Sequence, residues 1–555
     1  MKISTLSLLG LLALEASLPA QTPLALGPLP DDPTALLLPQ PGEEKILSSL
    51  EAIVLLPAPL PEGAHSTATR GLDATRVPFL QTPDFAHAIS FFLGRPASLG
   101  SLDRLQQVIR IHLQLAGRPL ARVFLPPQDI TDGTVRIVVQ FAALDGDVRV
   151  DGNKWFARER YTGVLRARPG EALDAVALNA DLAWLNRNPF RRVTPVIEAG
   201  EQPGTTRVTL RADERFPFSF STGYSNTGTK ATDVDRLSAS VQWGNAFGRG
   251  DLLNYGFSAD PAAAHLRSHS LGYTAFLPWR HVLTMQAAYS TIDSALPEPF
   301  AQTGNSWQVG ARYEIPLAAP RAGWTQSLNL TADFKSSDNT LEFATIPITG
   351  NTTHVAQFGG SYGVTFPALG GQNDARIELQ LSPGGLTRYN DTAAFDGSRP
   401  GAKAAYGYAK LGLRHQHGLQ GGWGLILSAD AQFSTGALLG SEQLNGGGVS
   451  AVRGYRENSA FGDWGVLGTA ELHAPGFAVF KGRDRADVFA FVDAASLRLH
   501  VDDDGTDLAS AGVGVNYQFG AHFSLRACYG WQLQPIDSSR GDYSGHGHVS
   551  ANLSW

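Results

Sequence analysis

From Phe216 to Trp555 the apolar residues of this chain recur at every second position, segment after segment, and no apolar run there approaches a membrane-crossing helix in length. Period two is the pattern of a strand with one oily and one wet face. In GWGLILSADAQFS, Trp423, Leu425, Leu427, Ala429, Ala431 and Phe433 share one face, and Ser428, Asp430 and Gln432 share the other. In FSLRACYGW, Phe523, Leu525, Ala527, Tyr529 and Trp531 oppose Ser524, Arg526 and Cys528. Such strands build either a soluble sandwich or a membrane barrel. Three features favour the barrel. The segments run to about 9–12 residues, the length of a tilted strand crossing a bilayer. No helical pattern interrupts them. Trp243, Trp307, Trp423, Trp531 and Trp555 fall near segment ends, where interface girdles sit. Backbone in lipid must satisfy every hydrogen bond internally, so the sheet must close.

The pattern predicts about 16 antiparallel strands, an even number as bacterial single-chain barrels require. They are expected near 216–226, 236–245, 252–260, 267–278, 281–291, 305–316, 324–336, 353–365, 374–382, 403–415, 422–435, 465–473, 486–493, 508–519, 522–532 and 547–555. The last one, GHVSANLSW, ends the chain on an aromatic.

The front of the chain reads differently. MKISTLSLLGLLALEASLPAQ has a charged Lys2, an apolar stretch too short to span, and a candidate cleavage point after Ala20, so residues 1–20 read as a secretory signal. Residues 21–48 are Pro-broken and read as a linker; Gly42 to Leu50 is the best stretch in it for a short plug helix. Residues 49–142 mix strands with two helices, the second carrying Leu105, Val108, Ile109 and Leu113 at helical spacing. Residues 143–214 repeat that scheme, which suggests a duplicated α+β domain.

The 51 acidic residues exceed the 44 basic ones, and a net charge of −7 gives no electrostatic case for nucleic acid. The single cysteine, Cys528, permits no intramolecular disulfide and no Cys-rich metal site. Neither a His-Glu-x-x-His helix nor a phosphate loop is present, so no enzyme chemistry, cofactor or metal is expected. His546 and His548 on the last strand read as polar side chains rather than ligands.

The longest connection within the barrel, about 435–464, follows the eleventh strand. With the N-terminus in the periplasm it is the sixth extracellular loop, and loops of this length are usually functional. It contains GGGVSAVRGYRENSAFGDWG. An arginine at a loop tip is ordinarily a solvated charge. The glycines also permit an inward fold that carries Arg453 into the lumen, where it would need an acidic partner. ADVFAFVDAA, the thirteenth strand, offers one: Asp487, Phe489, Phe491 and Asp493 share its inner face. On the residues alone both readings stay open.

The loop resembles the motif of the two-partner secretion transporters, the haemolysin and haemagglutinin secretion type within the outer-membrane assembly superfamily. Val452, Arg453, Gly454 and Tyr455 match the family's Val-Arg-Gly-Tyr, and Phe491 and Asp493 match its inner-wall Phe-x-Asp. ARVFLPPQDITDGTVRIVV, VRVDGN, LNRNPFRRV and GTTRVTLRADERFPFSFSTGYSNTGT resemble its two periplasmic POTRA domains and the start of its barrel. The resemblance runs from about residue 50 to 555. It implies a salt bridge between Arg453 and Asp493 inside the barrel. It also implies a secreted exoprotein with an N-terminal secretion domain as partner, and barrel-assembly machinery that reads Trp555. A monomer embedded in outer-membrane lipid is expected. Arg187, Arg191 and Arg192 in the second POTRA domain are candidates to contact the exported partner, set against an ordinary role as surface charge. Two rivals are a barrel-insertion factor of the same superfamily, which commonly has more POTRA domains, and a passive porin, which needs no front domains.

Overall fold

The computed structural model describes residues 44–58, 70–202, 204–294, 300–321, 323–343, 346–480, 482–501, 504–536 and 544–555. The signal and most of the linker lie outside them. Within Gly42 to Leu50, the stretch read as the best plug-helix candidate, Lys45–Leu47 is a strand paired with Ala97–Ser98 rather than a helix. The chain divides between Arg215 and Phe216 into two units.

The first unit holds two α+β domains. In the first, the strand Ala52–Leu56 lies parallel to both Gly71–Asp73 and Thr134–Gln140, and Arg122–Phe124 completes the sheet. Helices Pro83–Ser90 and Leu99–Leu115 pack on it. The second begins at a reciprocal Ser98–Ser101 capping box and buries Leu105, Val108, Ile109 and Leu113, as their spacing predicts. The second domain runs Thr205–Glu214 through the middle of its sheet, parallel to Ala143–Leu144 and Arg149–Asp151 and antiparallel to Arg191–Ala199. Helix Ala175–Leu185, capped by Asp174, covers it. Arg118 ties the two domains, donating to the Ala172 carbonyl at 2.7 Å and lying 3.5 Å from Asp174.

The second unit is a closed barrel in which every neighbour is antiparallel. Its strands are β1 Phe218–Ser225, β2 Arg236–Ala246, β3 Asp251–Ala259, β4 Leu266–Phe276, β5 Val282–Ser294, β6 Phe300–Leu317, β7 Thr325–Phe343, β8 Ile346–Ala368, β9 Gly371–Ser382, β10 Tyr406–Gly418, β11 Gly424–Ser434, β12 Trp464–His473, β13 Asp484–Arg498, β14 Gly505–Phe519, β15 Phe523–Gln532 and β16 Gly545–Ser554. All sixteen overlap the segments read from alternation. Leu427, Phe433, Val488, Val492, Val513, Tyr529 and Trp531 are exposed on the outer face, while Gln432, Phe489, Phe491 and Asp493 are buried inside. Trp243 stacks on Phe218 at 5.5 Å. β16 closes on β1 from Ser221↔Ser554 to Ser225↔Ser550. Trp555 extends that seam, its N–H donating to the Phe220 carbonyl at 2.9 Å.

β6, β7 and β8 reach 18, 19 and 23 residues, well past their expected ends. The extra length of β7 carries Ser337, Asp338, Asn339 and Thr340 without an oily face. Side-chain alternation stops where lipid stops, but hydrogen-bonded pairing does not need lipid to continue.

Candidate functional site

The connection between β11 and β12 folds back as a hairpin. Its limbs are joined by a two-residue ladder of Leu444–Asn445 with Phe461–Gly462. The tip lies against the inner wall of β12 to β15. Val452 and Tyr455 are fully buried, in a cluster with Ala495 and Leu497 of β13 and Leu508 of β14. The Tyr455 hydroxyl lies within donating reach of two carbonyls, that of Ala509 at 2.9 Å and that of Gln534, and accepts from the Ala509 N–H at 3.2 Å. Gly454 is required by contact: at φ +91°, a Cβ there would stand 2.8 Å from the Gly530 carbonyl oxygen of β15. Gly530 answers it, since a Cβ on that residue would stand 2.7 Å from the Gly454 nitrogen. Loop backbone and wall backbone therefore touch with no side chain between them.

Arg453 lies between those contacts. Its Nε donates to Asp493 Oδ2 at 2.7 Å, its Nη2 to Oδ1 at 2.7 Å, and its backbone N–H to Oδ2 at 3.0 Å. Nη1 donates to Glu471 on β12. The guanidinium carbon sits 3.6 Å from the centre of the Phe491 ring, a cation–π contact. Arg453 and Asp493 are 3% and 0% exposed, so water cannot replace these bonds. Burial alone would lower the Arg453 pKa, but the carboxylates of Asp493 and Glu471 outweigh it and hold the pKa above its ordinary value. The side chain is a fixed cation.

Alternation placed Phe491 and Asp493 on the inner face, but reading the sequence missed Glu471. Glu471 also accepts from Arg526 at 3.1 Å and meets His473 at 3.0 Å; His473 in turn meets Asp487 at 2.9 Å. A signal for it existed. Arg526 also faces inward, and two lumen arginines require a second carboxylate. Cys528 lies buried with Phe489 and Phe491. Among the described residues no group of His, Cys, Asp and Glu is arranged for a metal ion.

The three candidate arginines of the second domain do not share one environment. Arg191, proposed from sequence as a partner contact, is spent inside the domain. Its Nε donates to the Leu185 carbonyl at 3.0 Å, and its guanidinium lies 5.0 Å from the Phe156 ring and 5.1 Å from the Tyr161 ring. Arg187 is half-buried over Trp184, and Arg192 is exposed.

Comparison with known proteins agrees with this architecture. Residues 204–517 match the haemolysin secretion/activation protein family ShlB/FhaC/HecB, and residues 69–140 match the ShlB-type POTRA domain. The outer membrane transporter CdiB of Dickeya dadantii (strain 3937) is 24% identical over 463 residues, covering 80% of this chain and 78% of the relative. The heme/hemopexin transporter protein HuxB of Haemophilus influenzae is 25% identical over 201 residues, 35% of each chain. The solved structure of CdiB from Escherichia coli has the same fold, with a TM-score of 0.78 at 18% identity over 96% of this chain and 94% of that one. With its closed barrel, its front domains and more than half its length matched, the chain belongs to the ShlB/FhaC/HecB family of outer-membrane secretion transporters.

Proposed function

We propose that the chain exports one partner polypeptide through its barrel lumen, and that the Arg453–Asp493 pair holds the sixth loop in the wall-bound conformation on which export depends. As a two-partner secretion transporter of the outer membrane, the chain works with a secreted exoprotein. In the finer reading, residues 1–20 are removed as a signal and 21–48 link to POTRA domains at 49–142 and 143–214. The barrel takes 215–555, the loop 435–464, and Trp555 is read during assembly into the lipid. The partner carries an N-terminal secretion domain and arrives unfolded. An extended segment of it adds to a POTRA sheet edge through main-chain hydrogen bonds. Strand Arg191–Ala199 supports this, because among the described residues it pairs only with Thr205–Glu214. Exposed Arg192 is the side chain best placed to meet the partner. Folding outside then biases movement outward, with no covalent step.

The observation that carries this reading is a loop arginine buried on a strand carboxylate. Removing Arg453 strands the buried Asp493 carboxylate, and removing Asp493 leaves Arg453 with Glu471 as its remaining carboxylate. Co-production with a candidate exoprotein that the wild-type chain secretes tests the reading: Arg453→Ala and Asp493→Ala should each abolish secretion while the barrel still inserts. Normal export by both variants would overturn the role given to the pair. Steady small-solute conductance with no dependence on residues 50–214 would make the chain a passive pore instead.

A further inference from the structure

The sixth loop has a second charged anchor, away from its tip. Asp463, the last residue before β12, is fully buried. Its Oδ2 accepts from Arg399 Nη2 at 2.8 Å and from the His500 backbone N–H at 2.9 Å. Its Oδ1 accepts from the Leu438 N–H at 2.9 Å, from Gln443 Nε2 at 3.1 Å, and from Arg399 Nη1. Arg399 also donates to the Leu438 carbonyl. These donors come from three separate segments. Arg399 follows a short helix, Thr392–Ser398, between β9 and β10. Leu438 and Gln443 belong to the outgoing limb of the sixth loop, and His500 follows β13. The first two of these segments share an apolar core in which Phe395 packs with Ala437, Leu438 and Leu439. The segments after β9 and β13 also touch directly: a Cβ on Gly401 would lie 2.7 Å from Val501 Cγ2.

We infer that Arg399 and Asp463 form a latch, which holds these three segments together at the outer end of β9 to β14 and opens when the partner leaves. The geometry makes this pair releasable where the tip pair is not. Asp463 is a fixed post, its N–H donating to the Arg498 carbonyl of β13 at 2.9 Å. Its charged partner sits on a connecting segment, not on the wall, and the Arg399 side chain is 19% exposed, so water reaches it. When Arg399 swings away, Asp463 keeps three uncharged donors, and the departing guanidinium enters water. Neither charge is stranded in the way that makes opening a buried pair prohibitive.

The inference rests on the chain being a polypeptide exporter. A wild type that fails to secrete its co-produced partner defeats that reading; a secreting wild type with inert latch variants defeats only this one. The full-length chain in planar bilayers reads the latch. Arg399→Gln and Asp463→Asn should each raise the open fraction about tenfold, the loss expected for one charge-assisted hydrogen bond. Secretion should stay within about twofold of wild type, because a latch that must open is not needed closed. Arg399→Gln serves alone if Asp463→Asn does not insert. The converse test locks the segments. A Cβ on Gly401 would lie 3.8 Å from Val501 Cβ, which is disulfide spacing. In a Cys528→Ser background, oxidised Gly401→Cys/Val501→Cys should stop secreting and recover with reductant. Gly401→Cys alone is the control for strain at φ +81°. An oxidised double variant that secretes like that control, or latch variants with an unchanged open fraction, would each overturn the inference.

Discussion

The tip and the base of one loop solve the same problem, a charge out of water, in opposite ways. At the tip, Arg453 comes from the loop while its carboxylates, Asp493 and Glu471, stand on β13 and β12. Their positions are fixed by the register of the barrel, where Glu471 pairs directly with Phe491. At the base the carboxylate is the fixed member, and its donors come from segments that no strand register controls. A cation buried on a rigid wall makes a permanent anchor. A fixed carboxylate whose charged donor reaches in from a connecting segment makes a contact that can be opened and remade. The distinction lies in which partner is held, not in how many hydrogen bonds are made.

A double-mutant cycle breaks or sharpens this contrast most strongly. Coupling between Arg453→Ala and Asp493→Ala should reach about 3 kcal/mol in urea unfolding of the detergent-held barrel, the upper end for residues in one network. Coupling between Arg399→Ala and Asp463→Ala should be about 1 kcal/mol, nearer a part-exposed pair. Equal couplings would erase the distinction.

The ring floor beneath Arg453 gives the next effect. A Cβ on Gly512 would collide with the Phe491 ring, and one on Gly514 with the Phe489 ring. Gly512→Ala, whose Cβ would also meet the Tyr529 carbonyl, should therefore displace both the Phe491 ring and the neighbouring β15 backbone and cost about 1–3 kcal/mol of stability, as overpacking does. Secretion should fall with it. Gly363→Ala on β8, where a Cβ would meet nothing within 4 Å, is the control.

A pH effect at the tip should be smaller. Glu457 accepts from the Val449 N–H at 2.7 Å and lies 3.7 Å from buried His548. Burial pushes its carboxyl pKa up to about 7 from an ordinary 4.5. The folded loop thus binds a proton more readily than the unfolded one, so docking should be strongest below about 4.5 and lose that contribution as pH rises through about 7. Glu457→Gln should flatten this dependence in hydrogen exchange of the tip. An unchanged profile in that variant would assign the titration to His548 or another group.

The contrast also explains what could be read beforehand. All sixteen strands were legible because lipid on one side and water on the other impose period two on every side chain. Arg453 and Asp493 were legible because one sits in a motif and the other on an alternating strand. Glu471 was missed because one carboxylate among many has no pattern until Arg526 is paired. The Arg399–Asp463 contact was not legible at all. Its residues stand 64 apart on connecting segments, and no spacing rule relates Leu438, His500 and Arg399. The upper parts of β7 and β8 were missed for the converse reason: strand pairing carried on after the side-chain code had ended.

The second POTRA domain carries the smallest expected effect, and it separates its arginines. Arg191 fills a slot between two rings, so Arg191→Ala removes packing as well as charge and should destabilise the domain. Any loss of secretion would then follow loss of fold. Arg192 is exposed, and its partner in the sheet register is Asp213. Arg192→Ala should leave unfolding unchanged and slow partner capture about twofold at low salt, because a rim charge acts mainly on the rate of encounter. That difference should vanish as ionic strength rises and the Debye length shrinks to about 3 Å. A defect in Arg192→Ala that persisted in high salt would mean a direct hydrogen bond to the partner. The second domain would then hold its substrate with a fixed anchor, as the loop tip holds Arg453, and not by edge pairing alone.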